Sequence, residues 1–230
     1  MKRLIALAFP VFFISCTSTN ITKTSLNESL VKIETDSGTM VIKLYNKTPL
    51  HRDNFVKLVK EHFYDGLLFH RVIKGFMIQG GDPQSKNATP GELLGDSSLN
   101  YTIPAEFDSS LFHKKGALAA AREGDEVNPE KASSASQFYL VQGKTYTDGE
   151  LNRLEEHFKI KIPENHRAIY RAIGGAPFLD MNYTVFGEII SGLEVVDKIA
   201  NAETDSNDRP LKDIKMKITL LKRNEYRRYQ

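Results

Sequence analysis

The chain has 230 residues, 40% hydrophobic and 26% charged, enough for one substantial folded domain with its own core. Its formal net charge is +2; with Lys2 and Arg3 assigned to a leader that is removed, 29 of the 31 basic residues face 29 acidic ones. That balance excludes nucleic acid as an obligate partner, which needs a basic excess or patch, and the single cysteine excludes a disulfide framework.

The chain opens with a charged start, Lys2 and Arg3, followed by the apolar run Leu4 to Ile14. That run is shorter than the roughly 20 residues a bilayer span needs and fits the hydrophobic region of a signal peptide. It ends in Phe13-Ile14-Ser15-Cys16, which resembles a bacterial lipobox, with Phe13 in place of the commoner leucine. The resemblance implies a signal peptide over 1–15 and a lipid on Cys16. Several acyl chains make a firm anchor, since each buried CH₂ contributes about 0.8 kcal/mol. Residues 16–29, rich in Ser, Thr and Asn, read as a flexible tether.

Folded structure is expected from Leu30. Val31 and Ile33 alternate with Lys32 and Glu34, and Met40, Ile42 and Leu44 alternate with Val41 and Lys43. Asp36-Ser37-Gly38 joins the two runs into a hairpin. Thr48-Pro49 then opens a helix, with Thr48 as N-cap and Pro49 at the first helical position. Phe55, Leu58, Val59 and His62 follow at helical spacing, and Asp65-Gly66 stops it. Further strands are predicted at Leu67–Ile73, Phe76–Gln79, Gly116–Ala121, Gln137–Val141, Val185–Ile190 and Ile214–Leu221, with a second helix at Leu193–Ala200. Many short strands and two core helices imply a mainly β fold on an antiparallel sheet, a closed barrel in the first instance. Periodicity alone leaves a sandwich open as well. The basic run Lys222, Arg223, Arg227, Arg228 reads as a solvated tail over 223–230.

Within these elements lies the contiguous stretch Phe69-His70-Arg71-Val72-Ile73-Lys74-Gly75-Phe76-Met77-Ile78-Gln79-Gly80-Gly81-Asp82. It resembles the signature of cyclophilins. Ser136-Gln137-Phe138-Tyr139-Leu140, and Phe178-Leu179-Asp180 followed by Val185-Phe186-Gly187, resemble two further family segments in the right order. The resemblance covers about residues 30–222. It implies an eight-stranded antiparallel barrel capped by two helices, acting as a peptidyl-prolyl cis-trans isomerase on proline-containing peptides and folding proteins. It also implies site residues. Arg71 falls on the catalytic arginine and Gln79 on the glutamine that positions it. Phe76, Met77 and Leu179 fall on walls of the proline pocket, Gln137 on a substrate-contacting glutamine, and Ala121 beside the peptide backbone.

Four positions depart from the family pattern. Tyr139 stands where phenylalanine is usual, Phe178 where tryptophan is common, and Tyr183 where histidine often sits. Arg122 replaces an asparagine whose backbone contacts the peptide. The first three keep aromatic bulk, and Arg122 adds a positive side chain that is expected to alter the preference for flanking residues. The family's tryptophan contacts cyclosporin, so Phe178 implies weak inhibition by that drug. His70 is turned by strand alternation to the face opposite Arg71 and is read as structural.

These residue types suit the chemistry. Rotation about an amide must break its resonance, a barrier of about 18–20 kcal/mol. Catalysis therefore requires tighter binding of the twisted amide than of either planar form. In the twisted state the proline nitrogen regains a lone pair, and a permanently charged guanidinium is a suitable donor to it. No cofactor is implied. The six histidines show no metal spacing, and neither a nucleophile elbow nor a phosphate loop is present; Gly80-Gly81 and Gly174-Gly175 read as turns.

Between Leu140 and Phe178 the chain is longer than the family pattern, with an insertion over about 143–176. Thr147-Asp148-Gly149-Glu150 is a capping-box pattern, followed by Leu151, Leu154 and Phe158 at helical spacing. Pro163 opens a second short helix carrying Ile169 and Ile173, closed by Gly174. A helical hairpin beside the pocket is predicted, acting as a lid or docking arm for protein substrates. The whole reads as a monomeric isomerase of exported proteins, lipid-anchored at a bacterial envelope, on the periplasmic side of the outer membrane. The alternative is a proline-segment binding module or chaperone without turnover. Retention of both Arg71 and Gln79 favours the enzyme.

Overall fold

A computed structural model describes residues 28–229. The signal-peptide, Cys16 and most of the tether expectations lie outside the described residues. The last tether residues are already joined to the sheet, where Ser29 O accepts from Leu44 N at 2.9 Å.

Among the described residues ten strands form, at β1 Leu30–Thr35, β2 Gly38–Leu44, β3 Arg71–Ile73, β4 Met77–Gly80, β5 Thr102–Ile103, β6 Ala117–Ala120, β7 Ser133–Ser134, β8 Phe138–Val141, β9 Val185–Ser191 and β10 Lys217–Leu220. The α-helices of the described residues are α1 Pro49–Lys60, α2 Asp148–Phe158, α3 Glu164–Ala172 and α4 Leu193–Ala200. Eight strands make one antiparallel sheet in the order β10-β1-β2-β9-β6-β8-β4-β3, and β5 pairs with β7 apart from it. The expected strands are all present, most of them shorter at the ends. The short β5–β7 pair was not predicted, because two residues carry no periodicity.

Strand alternation sorts the side chains onto two faces. Val31, Ile33, Met40, Ile42, Val72, Ile78, Leu118, Leu140 and Ile218 form the inner core, which α1 closes with Phe55, Leu58 and Val59 and α4 closes with Val195, Val196 and Ile199. Phe55 sits at the centre of this packing, its ring 5.0 Å from Tyr64, 5.4 Å from Phe138 and 5.5 Å from Phe186.

The predicted closed barrel is instead a curled sheet whose edge strands β3 and β10 share no ladder. Backbone bonds join the segments just before them: Gly66 N and Phe69 N donate to Met216 O and Ile214 O, and Met216 N donates to Leu67 O. The seam loses its regular pairing at β3 because Val72 N donates to Asp208 O at 2.8 Å, in the turn leading to β10.

Helix α1 also departs from expectation at both ends. Pro49 occupies the first position, but Thr48 makes no capping bond and its buried hydroxyl has no partner among the described residues. Glu106 does that work from a distant loop, its two carboxylate oxygens accepting from Leu50 N and His51 N at 3.0 Å each. A carboxylate there also faces the positive end of the helix dipole. At the other end the helix stops at Lys60. His62 adopts a left-handed φ of 56°, and the N–H groups of His62 and Phe63 return to the carbonyls of Val59 and Leu58. His62 is therefore exposed rather than on the apolar face.

The insertion folds as the predicted helical hairpin. The capping box at Thr147 and Glu150 is complete. The buried face of α3, however, is His166, Arg167 and Tyr170 rather than Ile169 and Ile173. Tyr146, Leu151, Ile162 and Tyr170 make a small core of their own, separate from that of the sheet. Arg167 ties the two helices, with Nη2 donating to Asp148 O and Oδ1 and to Asn152 Oδ1. The hairpin leaves and rejoins the sheet at a neck where Gly143 lies against Gly175; a Cβ on Gly143 would come within 2.4 Å of the Gly175 backbone. In the C-terminal segment the basic side chains are exposed, but Tyr226 and Tyr229 pack beside Leu30, Val41 and Leu221, so the segment is docked rather than free. Among the described residues, no helix is long and apolar enough to cross a membrane.

Candidate active site

The site lies on the outer face of the sheet, because the residues alternating with the inner core must point outward. Arg71 on β3 faces Gln79 on β4, Gln79 faces Tyr139 on β8, and Tyr139 faces Ala119 on β6. This row places the guanidinium, the amide and the phenol on one face. One step along each strand, Ile73, Met77 and Val141 form a second row. Met77, Ala119, Tyr139, Val141 and Val185 thus make an outer apolar cluster, flanked by half-buried Phe76, Ala121, Phe178, Leu179 and Tyr183. The structure brings the predicted apolar residues together as one surface, joined to Arg71 through the sheet register.

A chain of polar contacts holds the arginine. Its Nη1 lies 3.5 Å from Gln79 Oε1, Gln79 Nε2 donates to Gln137 Oε1 at 2.8 Å, and Gln137 Nε2 donates to the carbonyls of Gly95 and Ser97 at 2.7 Å each. Gln137 was expected to contact substrate, yet its amide is engaged inside the protein and fixes Gln79. Asp208 adds a contact that sequence reasoning missed, Oδ2 lying 3.5 Å from Arg71 Nε. No local pattern marks Asp208, which reaches the site by the seam turn.

Arg122 is likewise engaged within the protein. Its side chain is only 4% exposed; Nε donates to Asn182 O, and Nη1 donates to Glu123 O and pairs with Asp125. The guanidinium lies 4.4 Å from the centre of the Tyr183 ring. The guanidinium is thereby held against Tyr183, which in turn meets Tyr139 edge-on at 6.0 Å. Gln79, Ala121, Arg122 and Gln137 border a groove of about 1050 Å³ that also includes Tyr101 and Ser134.

Beneath the pocket is a buried polar relay. Asp180 Oδ1 accepts from both His113 N and His113 Nδ1 at 2.9 Å, which leaves Nε2 to accept from the Tyr139 hydroxyl at 3.0 Å. Asp180 Oδ2 accepts from the Tyr170 hydroxyl of α3 at 2.7 Å. Burial first, and then the charge of Asp180, holds the Tyr170 phenol well above its ordinary pKa. Burial does the same for Tyr139, so both remain hydrogen-bond donors. The unusual Tyr139 hydroxyl thus connects the pocket floor to the insertion. His113 and Tyr170 were not foreseen. The described residues hold no cluster of three or more His, Cys, Asp or Glu suited to a metal ion.

Comparison with known proteins agrees with this geometry. The family profile described as "Cyclophilin type peptidyl-prolyl cis-trans isomerase/CLD" matches residues 30–220. A Staphylococcus haemolyticus protein provisionally named a peptidyl-prolyl cis-trans isomerase is 36% identical, covering 82% of this chain and 88% of its own. A Staphylococcus aureus protein with the same provisional name is 37% identical, covering 81% and 88%. The crystal structure of a Cryptosporidium parvum cyclophilin-type peptidyl-prolyl cis-trans isomerase superposes with a TM-score of 0.61 at 23% identity, covering 85% of this chain and 98% of that one. That parasite protein has also been crystallised in the presence of the dipeptide Ala-Pro. The sheet, its two capping helices and the profile match across nearly the whole described chain lead to one assignment: the chain belongs to the cyclophilin-type peptidyl-prolyl cis-trans isomerases.

Proposed function

We propose that this isomerase acts on exported proteins at a bacterial envelope, tethered by a lipid on Cys16 to the periplasmic side of the outer membrane, and that Arg71 is its catalytic group. The observation that carries the catalytic assignment is the braced Arg71. Its guanidinium stands on the same face as Met77 and Tyr139, supported by Gln79, Gln137 and Asp208. An X-Pro bond exchanges in tens to hundreds of seconds unaided. The substrate proline ring sits on the apolar surface of Phe76, Met77, Tyr139 and Leu179 while the preceding carbonyl turns. As the bond twists, conjugation is lost and the proline nitrogen becomes pyramidal. The guanidinium donates to the lone pair that appears. A planar amide nitrogen accepts poorly, so the interaction strengthens on the way to the transition state. Gln79 positions Arg71, and no covalent bond forms or breaks.

The leader and the lipobox-like Ser15-Cys16 support the envelope assignment. The test of catalysis is cis-to-trans exchange of an Ala-Pro peptide followed by NMR, with Arg71→Ala beside the parent chain. Fast exchange that collapses in a still-folded variant is expected; undiminished exchange in Arg71→Ala would overturn the catalytic assignment. Incorporation of labelled palmitate, lost in Cys16→Ser, tests the anchor.

A further inference from the structure

The hairpin α2–α3 offers a surface that the isomerase reaction does not use. Phe158, at the last position of α2, is 44% exposed although it is a large apolar residue. Its ring stacks on Phe178 at 5.8 Å and 25°, and Phe178 lies 5.5 Å from Phe76 on the wall of the proline pocket. Three aromatic rings therefore run outward in a row from the pocket onto the insertion. Beyond them lies an open groove of about 930 Å³, lined by the apolar Leu154, the ring of Tyr146 and the polar Arg153, Glu156 and His157. The groove is preformed, because Arg167, the capping box and the small hairpin core fix α2.

We propose that this groove is a second substrate subsite, which receives an aromatic side chain flanking the isomerised proline. The proposal rests on the isomerase reading above and deepens it. The occupant is the substrate chain itself. The groove shares Phe178 with the proline surface, so a peptide held there by its proline passes directly onto Phe158. Aromatic side chains fit best: the exposed face of Phe158 and the Leu154 side chain present apolar area, and offset aromatic pairs add to simple burial. Arg153 in the lining provides a cation that can lie over an incoming ring. The insertion thereby acts as a specificity element and not as a lid.

The test uses the full-length chain and two sets of hexapeptides containing Ala-Pro, one with Phe and one with Ala at each flanking position in turn. Exchange by NMR gives kcat/KM, and peptide titration gives Kd. At one or more flanking positions the parent chain is expected to prefer Phe by about fivefold in both quantities. Phe158→Ala is expected to bring that ratio close to one, and Phe158→Tyr to restore it. Equal Kd values for the Phe and Ala peptides in the parent, or the same ratio in parent and Phe158→Ala, would overturn the subsite whatever the turnover. Absent exchange together with a Phe preference in Kd that Phe158→Ala removes would overturn the isomerase reading and support the subsite.

Discussion

The relay Tyr139–His113–Asp180–Tyr170 predicts an energetic link between the pocket floor and the inserted hairpin. The perturbations are Tyr139→Phe, Tyr170→Phe and the double variant, each removing one hydroxyl and keeping the ring. In Tyr139→Phe the acceptor Nε2 of His113, in a side chain 1% exposed, loses its partner. An unsatisfied buried group costs about 1–3 kcal/mol. In Tyr170→Phe a hydrogen bond to a carboxylate is lost, also about 1.5–3 kcal/mol, with Asp180 screened from most water at 17% exposure. Each variant is therefore expected to lose about 2 kcal/mol, a Tm decrease of about 4–8 °C for a domain of this size. Both hydroxyls act on one imidazole–carboxylate pair, so the double variant should lose less than the sum, by at least about 0.5 kcal/mol. Urea unfolding followed by circular dichroism measures all three, with m held constant across the set. Strict additivity, or a Tyr170→Phe effect within the ±0.5 kcal/mol typical of a surface change, would refute the relay as a connection.

Asp208→Asn tests the missed partner of Arg71. Both side chains are about half exposed, so stability should change by less than about 1 kcal/mol, while Ala-Pro exchange slows several-fold because the guanidinium loses an anchor; an unchanged rate would assign Asp208 to the seam alone. His70 gives a pH dependence. Burial holds its imidazole down at about 4, and neither ring nitrogen has a hydrogen-bond partner among the described residues. The unfolded chain binds a proton near pH 6.5 that the folded chain resists, so stability should fall as pH drops from about 6.5 toward 4, by about 3 kcal/mol in all. His70→Leu should flatten this slope in urea midpoints measured across that window, and an identical slope would contradict the assignment. Cyclosporin should inhibit exchange weakly, since Phe178 stands where the family's drug-contacting tryptophan is common, and Phe178→Trp should tighten inhibition in a titration of the exchange rate.

What could be read from the sequence was whatever is local. The hairpin at 30–44 is fixed by alternation and its turn, α4 by helical spacing, and the capping box of α2 by residues three apart. The apolar pocket was legible through the family resemblance, which singled out Phe76, Met77 and Tyr139; Met77 and Tyr139 share the outer face of β4 and β8, and Phe76 joins them from the turn before β4. The unread part depends on partners far apart in the chain. Glu106 caps α1 from another loop, Asp208 approaches Arg71 across the seam, and Asp180 joins His113 to Tyr170. Nor does sequence show whether a polar group is already satisfied. Gln137 and Arg122 were expected to face the peptide, and both are occupied internally. The open seam has the same origin, since the diversion of Val72 N to Asp208 has no signature in either segment.

The neck at Gly143 and Gly175 bears on how such a protein diversifies. A detour whose two ends touch imposes the same geometry on its host whatever its length, and each doubling of a flexible loop adds only about 0.6 kcal/mol of closure entropy. The excursion also carries its own small core, so beyond the Tyr170 bond to Asp180 it asks little of the sheet beneath. A lineage could exchange or lengthen it without retuning the arginine, provided the donor to Asp180 is kept. Sequence preference would then evolve as a replaceable cassette on an unchanging rotor.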